Sequence, residues 1–515
     1  MANRVNLDAM IPREDFALAD EEFAIDLFPG LPITNLSSDS PILKLLRKPD
    51  FQRETNHWTP NQIATFVASF LDNEVIPSLI LWKSPTLIFV IDGGHRLSAL
   101  RAWMEDDYGD GPISLSFYGG VISDEQRKMA LRARKLIERK IGRFSKLKGL
   151  VEVKGTDELA KRANRLFTRS IQVQWVQGNA EVAETSFFKI NSQGTPLDDT
   201  EAMLIESRRK PIAIGARAIL RAGSGHKYWS AFNDERRAEI ESLAKQLYDL
   251  LFEPEADAPV KTLDLPLGGT VSPVDALSLL VEFMAVAGNR EGGKAIAEYE
   301  DDSDGEDTIR VLKRSLEIVR RVSGNLPASL GLHPAVYFYN ENGKYSRFLL
   351  LGMVSLITEK IRNNDGGFFK TFTKAREKVE TFLISNKSLI GIVLQNLSRS
   401  QRVPKIKDLF SFLISEASEG RDVTPEQAIS QLGLRGRIID VNAIQTAPHF
   451  SEETKSAAFL TTALRSAVKC PICNGFMDVQ KSVQYDHKVP LRDGGTGDIA
   501  NIQLVHPYCN TGVKS

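Results

Sequence analysis

The chain has 515 residues, of which 42% are hydrophobic and 25% charged, and its 65 basic and 66 acidic side chains leave a formal net charge of −1. These values exclude a disordered polyelectrolyte, and the length exceeds what one hydrophobic core serves, so roughly two to four domains are expected. No run approaches the roughly 20 apolar residues of a membrane span and the N-terminus lacks a signal-peptide pattern, which makes the cytoplasm the expected location. The three cysteines, Cys470, Cys473 and Cys509, all fall in the tail. An odd number so confined does not form a secreted disulfide framework and reads as ligands.

In chain order, Thr59-Pro60 predicts a helix start and the amphipathic run behind it a helix to Leu71. PSLILW (77–82) and TLIFVID (86–92) predict strands, and the alternation places the N-terminal part in the α+β class. Residues 127–169 hold fifteen Lys or Arg against four Asp or Glu. Such a segment either faces phosphates or forms a solvated helical face with a basic loop. IQVQWV (171–176) predicts a further strand, and residues 182–207 a helix, a loop containing Asn191 and Gly194, and a second helix.

The strand ending in Val90-Ile91-Asp92 runs into Gly93-Gly94-His95-Arg96, a glycine turn that opens a helix. Backbone N–H groups at such a start favour an anion, and Arg96 is suited to a bidentate phosphate contact. The alternative is a tight turn in which Asp92 caps the helix. Together with Phe51-Gln52-Arg53 and Trp58 upstream, and Phe188, Asn191, Gly194 and Leu197 downstream, this pattern resembles the ParB-like DGQQR family. That family includes the N-terminal halves of GmrSD-type and SspE-type antiphage restriction enzymes. The resemblance, over residues 45–205, implies a domain that binds or hydrolyses a nucleoside triphosphate, or senses modified DNA. It implies a site centred on Asp92, Gly93, Gly94, His95 and Arg96, with Gln52, Arg53 and Asn191 as neighbours. Here DGGHR stands in place of DGQQR, so the amide side chain at position 94 is missing, which puts nucleotide choice and hydrolysis in doubt.

From about 210 to 440 most segments read as helices, interrupted by EPEADAPVKTLDLPLGGT and EYEDDSDGED, which are too polar and turn-rich for a core. The expected domains are 1–210, a helical middle at 211–445, and a small tail at 446–515.

In that tail, Cys470-Pro471-Ile472-Cys473 and His506-Pro507-Tyr508-Cys509 are two knuckles whose spacing lets both ligands of one turn reach one ion. Together they predict a structural Cys3His zinc site. Between them stand Tyr485-Asp486-His487, Pro490, the Asp493-Gly494-Gly495-Thr496 turn and Asn501. This set resembles the HNH, or ββα-metal, endonuclease family, with Asn510 where many members carry His. A phosphodiester hydrolase needs a base for its water, a role open to the imidazole of His487. Hard oxygen ligands from Asp486 and Asn510 suit Mg²⁺ or Mn²⁺. The resemblance assigns Asn501 to bracing the catalytic loop.

The expected protein is a metal-dependent DNA endonuclease of restriction type, acting on phage or modified DNA and gated by its N-terminal domain, with a homo-oligomer or defence partner open. The competing readings are a non-catalytic DNA-binding regulator that uses both modules as grips, and an RNA-directed nuclease.

Overall fold

A computed structural model describes residues 4–14, 26–49, 52, 55–120, 122–150, 158–178, 182–183, 186, 190, 199–223, 229, 232–256, 258–269, 273–288, 296–434 and 450–513. The chain divides into two compact units, Met1–Arg208 with Ser224–Tyr228, and Arg209–Gly223 with Trp229–Ser515.

The first unit is built on a six-stranded mixed sheet. Its strands are β1 (Arg13–Glu14), β2 (Gly30–Pro32), β3 (Leu46–Pro49), β4 (Leu79–Lys83), β5 (Ile88–Asp92) and β6 (Ser170–Val176), in the order β1-β3-β5-β4-β6-β2. β4 and β5 form an antiparallel hairpin closed by the Ser84–Leu87 turn, whereas β3 runs parallel to β5 and β6 parallel to β4. The period of two sorts this hairpin cleanly. Leu79, Leu81, Ile88 and Val90 enter the main core, and Trp82, Phe89 and Ile91 enter a smaller cluster with Ala183. Thr59 caps the predicted helix, observed at Pro60–Leu71, in a reciprocal capping box with Gln62. That helix buries Ile63, Ala64, Val67, Phe70 and Leu71, one face of a 3.6-residue period.

The second unit is helical up to the tail. Its long helices are Asp234–Phe252, Glu306–Val322, Arg347–Arg362, Gly366–Ser385 and Arg399–Ser418. Arg347–Arg362 crosses Arg399–Ser418 so closely that a Cβ on Gly352 would lie 2.4 Å from Ile406 Cγ2. Among the described residues the first polar break is non-helical and the second is so between Tyr299 and Gly305, with Glu306 already opening the next helix, but the view that they stay out of the core is corrected. Val260, Leu265 and Leu267 are buried, and buried Asp302 accepts from the N–H groups of Gly305 and Thr308 at 2.8 Å each. A polar segment enters the interior when its own turns satisfy its polar groups. The tail carries the antiparallel hairpin of β7 (Gln484–His487) and β8 (Ile502–Val505), and belongs to the same compact unit as the helices. No helix among the described residues is long and apolar enough to cross a membrane.

Candidate active site

The tail is organised by its four sulfur and imidazole ligands. In the first knuckle Asn474 takes a left-handed φ of 55° and its N–H donates to Cys470 O at 2.8 Å, while Cys470 N–H donates to Gly475 O at 2.9 Å. The second knuckle follows β8 directly. All four residues are buried, and the Sγ atoms of Cys470, Cys473 and Cys509 and a ring nitrogen of His506 lie within 4.8 Å of one another. His506 Nδ1 is 3.3 Å from Cys473 Sγ and 3.9 Å from Cys509 Sγ. A tetrahedral zinc with bonds of about 2.0–2.3 Å keeps its ligands roughly 3.4–3.8 Å apart. The residues therefore fit a structural zinc.

Their protonation fits as well. His506 Nε2 donates to Phe476 O at 3.0 Å, which directs Nδ1 to the sulfurs. Burial, with the charge of Arg376 added, holds the His506 pKa below the usual value and keeps the imidazole neutral. Hydrogen bonds from Cys473 and then Cys509 push the Cys470 thiol down, so the cluster favours a thiolate.

Sequence reasoning missed what holds this site in place. Arg376, fully buried on the Gly366–Ser385 helix, donates to Leu330 O, Gly331 O at 2.8 Å and Phe476 O at 3.3 Å, and pairs with Glu380 at 2.7 Å. Glu380 in turn accepts from Phe476 N–H at 2.6 Å and from the Tyr337 hydroxyl at 2.9 Å. A Cβ on Gly475 would meet Arg376 Nε at 2.4 Å, so glycine is required at that point of the knuckle. An Arg and a Glu four apart on a helix look like an ordinary surface pair, and nothing local marks this one as buried.

The hairpin carries the remaining tail residues. In its register Asp486 faces Gln503 and His487 faces Ile502 at the end that leads into the connecting loop. Gln503 Nε2 donates to Asp486 Oδ2 at 2.8 Å, and Asn510 Nδ2 donates to Gln484 Oε1 at 3.0 Å. Gln484 and Asp486, two apart on one strand, share a face, so Asp486 and Asn510 are brought to the same side of β7. With its amino group committed to Gln484, the Asn510 amide turns its oxygen the other way. Asn510 sits in a short π-helical turn, Cys509–Val513. A carboxylate and an amide oxygen so oriented suit a hard divalent cation. Asn501 spans the loop between the strands: its Nδ2 donates to Val489 O at 3.0 Å and Thr496 O at 2.7 Å, and its Oδ1 accepts from Val489 N–H at 2.7 Å. The amide thus braces the loop directly behind His487. Gln484 and Gln503 were not singled out from sequence.

In the first unit Asp92 ends β5 and Gly93, at φ 105°, caps the Gly94–Glu105 helix. Arg96 Nη2 donates to Asp92 Oδ2 at 2.5 Å and to Ser78 O at 3.1 Å. One amino group of its guanidinium is therefore engaged within the turn, while its Nε is buried without a hydrogen-bond partner. Gln52 is buried, its Nε2 donates to Ile91 O at 3.4 Å, and a Cβ on Gly94 would lie 3.3 Å from its Oε1. The Gln52 amide thus lies against Gly94, and its Oε1 is buried without a hydrogen-bond partner. Arg13 holds the Gln52 carbonyl, and Asp8 binds both Arg13 and Lys48 at 2.7 Å. His95 stacks on Trp58 with centroids 5.7 Å apart and meets His57 edge-on at 5.9 Å. Asp92, Gly93, Gly94, His95, Arg96 and Gln52 are thus brought together, with His57 as a neighbour that sequence reading missed. Arg53 and Asn191 lie outside the described residues, as do Phe51, Phe188, Gly194 and Leu197.

Residues 33–207 match the family described as GmrSD restriction endonuclease, N-terminal domain, and residues 470–515 match that described as HNH endonuclease. The chain joins a GmrSD-type N-terminal domain to a C-terminal HNH endonuclease domain. No curated protein and no solved structure matches the chain significantly. The zinc-compatible cluster and the β7–β8 hairpin both fall inside the HNH match, so the chain carries a nuclease domain, and DNA is the substrate that this domain implies.

Proposed function

We propose that the protein is a restriction-type DNA endonuclease whose HNH centre uses His487, Asp486, Asn501 and Asn510, and whose N-terminal domain gates it. What supports the catalytic part is one juxtaposition. Asp486, with Asn510 on its side of β7, and its strand neighbour His487 stand where the hairpin runs into the loop that Asn501 braces, in the same tail as the Cys3His cluster. His487 takes the proton of the attacking water. Asp486 and Asn510 would hold Mg²⁺ or Mn²⁺, which when bound would supply charge stabilisation at the scissile phosphate and the leaving oxygen. Asn501 keeps the loop from sagging away from the phosphate. Zinc, as the metal of the Cys3His site, has a purely structural task.

The gating part is supported by the cluster around Gln52, Asp92 and Arg96, a helix start beside a guanidinium, which suits a triphosphate or a modified base's phosphate. An uncontrolled nuclease would cut the host chromosome, which supplies the reason for a gate. Phage DNA or chemically marked DNA is the expected target.

Cleavage of matched modified and unmodified DNA in Mg²⁺ or Mn²⁺, with and without each triphosphate, tests both parts. His487→Ala is expected to lower the cleavage rate by roughly 100-fold or more with zinc content unchanged. Equal cutting by His487→Ala and the parent would sink the catalytic assignment, and indifference to every triphosphate and modification would sink the gate.

A further inference from the structure

The basic stretch of the N-terminal domain separates into two populations. One is consumed internally. Arg134 binds Asp110 at 2.6 Å and Asp106 at 3.0 Å, Arg162 binds Asp72 at 2.6 Å, and Arg169 donates to the carbonyls of Ser69 and Glu74. The other includes Lys135 and Arg139, on the outer side of the Asp124–Lys140 helix. That helix buries Ala130, Ala133 and Ile137. Lys128, Arg132, Lys135 and Arg139 are all exposed and follow the spacing i, i+4, i+7, i+11, which is one stripe, about opposite the buried face at 100° per residue. Lys146 and Lys148, exposed on the short Phe144–Lys148 helix, continue the basic run. From Lys128 to Lys148 the sequence has a single carboxylate, Glu138, and Arg143 pairs with it at 3.1 Å. Among the described residues no carboxylate forms an ion pair with Lys135, Arg139, Lys146 or Lys148.

A solvated helix face ordinarily mixes both signs of charge, which lowers self-repulsion. Lys135, Arg139, Lys146 and Lys148, exposed and without an ion pair among the described residues while neighbouring arginines of the same segment are neutralised internally, are suited to a polyanion. We propose that this stripe grips the phosphate backbone of duplex DNA, holding substrate on the N-terminal domain without reading its sequence. The partner follows from the charge and, in naming DNA, rests on the nuclease reading above. The grip adds affinity and salt dependence, whereas discrimination belongs elsewhere.

The test uses the full chain, a short labelled duplex and no added Mg²⁺ or Mn²⁺, with Kd followed over about 50–200 mM salt. Each lost phosphate contact lowers the slope of log Kd against log salt by about 0.9, so Lys135→Gln/Arg139→Gln/Lys146→Gln should make it shallower by roughly 2 to 3. Binding at the lowest salt should weaken at least tenfold. The charge-preserving Lys135→Arg/Arg139→Lys/Lys146→Arg should bind like the parent, and matching melting curves show that the fold is kept. Unchanged affinity and slope in the glutamine variant overturn the proposal. So does a variant that keeps DNA binding but loses binding to phosphatidylserine vesicles, which would assign the face to a membrane. Failure of the parent to cut DNA in Mn²⁺ would remove the nuclease reading and leave this binding result standing.

Discussion

Phe476 gives its carbonyl to two donors, His506 and Arg376, and its N–H to Glu380, so one residue couples the Cys3His cluster to a buried ion pair. Residues of this kind have effects larger than their surroundings suggest. Arg96 is another. It closes the turn between Ser78 and Asp92, and Arg96→Ala is expected to weaken triphosphate binding at least tenfold while zinc content stays unchanged, as read by isothermal titration and a metal assay. Equal binding would remove Arg96 from the site. His333 sets a pH dependence. Burial pushes its pKa down to about 3, below the about 6.5 of an unfolded chain. Below pH 6.5 the unfolded chain therefore takes up a proton that the native state refuses, and stability falls as pH drops toward 3; above 6.5 the term vanishes. Melting temperature should decline between pH 7 and pH 5, and His333→Leu should flatten that decline.

At the scale of elements, the Gly366–Ser385 helix serves as a platform for the first knuckle through Arg376 and Glu380. Removing one partner of a buried pair leaves the other charge uncompensated, at a cost of roughly 3–5 kcal/mol. Arg376→Met should lower unfolding stability by about that amount in denaturant titrations. It should also speed zinc loss to a chelator, because the knuckle loses the donor on Phe476 O. Unchanged zinc release would show that the knuckle stands without the helix. The sequence predicted the helix itself but gave this pair no distinguishing mark, since i, i+4 charges are common on solvent faces. Strands β4 and β5 were legible for the opposite reason: each is a short apolar run whose signal is local.

At the scale of the whole molecule, the HNH domain and the helical middle form one compact unit. A fragment of residues 209–515 should fold with zinc bound and retain metal-dependent nicking. A fragment of residues 446–515 lacks Arg376, Glu380 and Tyr337, and is expected to show little secondary structure by circular dichroism even with zinc supplied. A well-folded short fragment would refute the dependence on the platform.

Legible in the sequence by itself were the Cys3His cluster, the strand carrying Asp486 and His487, and the glycine turn after β5. In each, the chemistry lies in spacings within a knuckle, a strand or a turn, where backbone geometry alone fixes which side chains meet. Tertiary structure decided which groups serve them. Gln52 reaches Gly94 from 42 positions away in the chain, Arg376 reaches Phe476, and acidic partners at Asp72, Asp106 and Asp110 take some arginines of the basic stretch and leave the outer stripe exposed. Such pairings depend on how elements pack across long separations, and only packing distinguishes a buried charge from one that faces solvent.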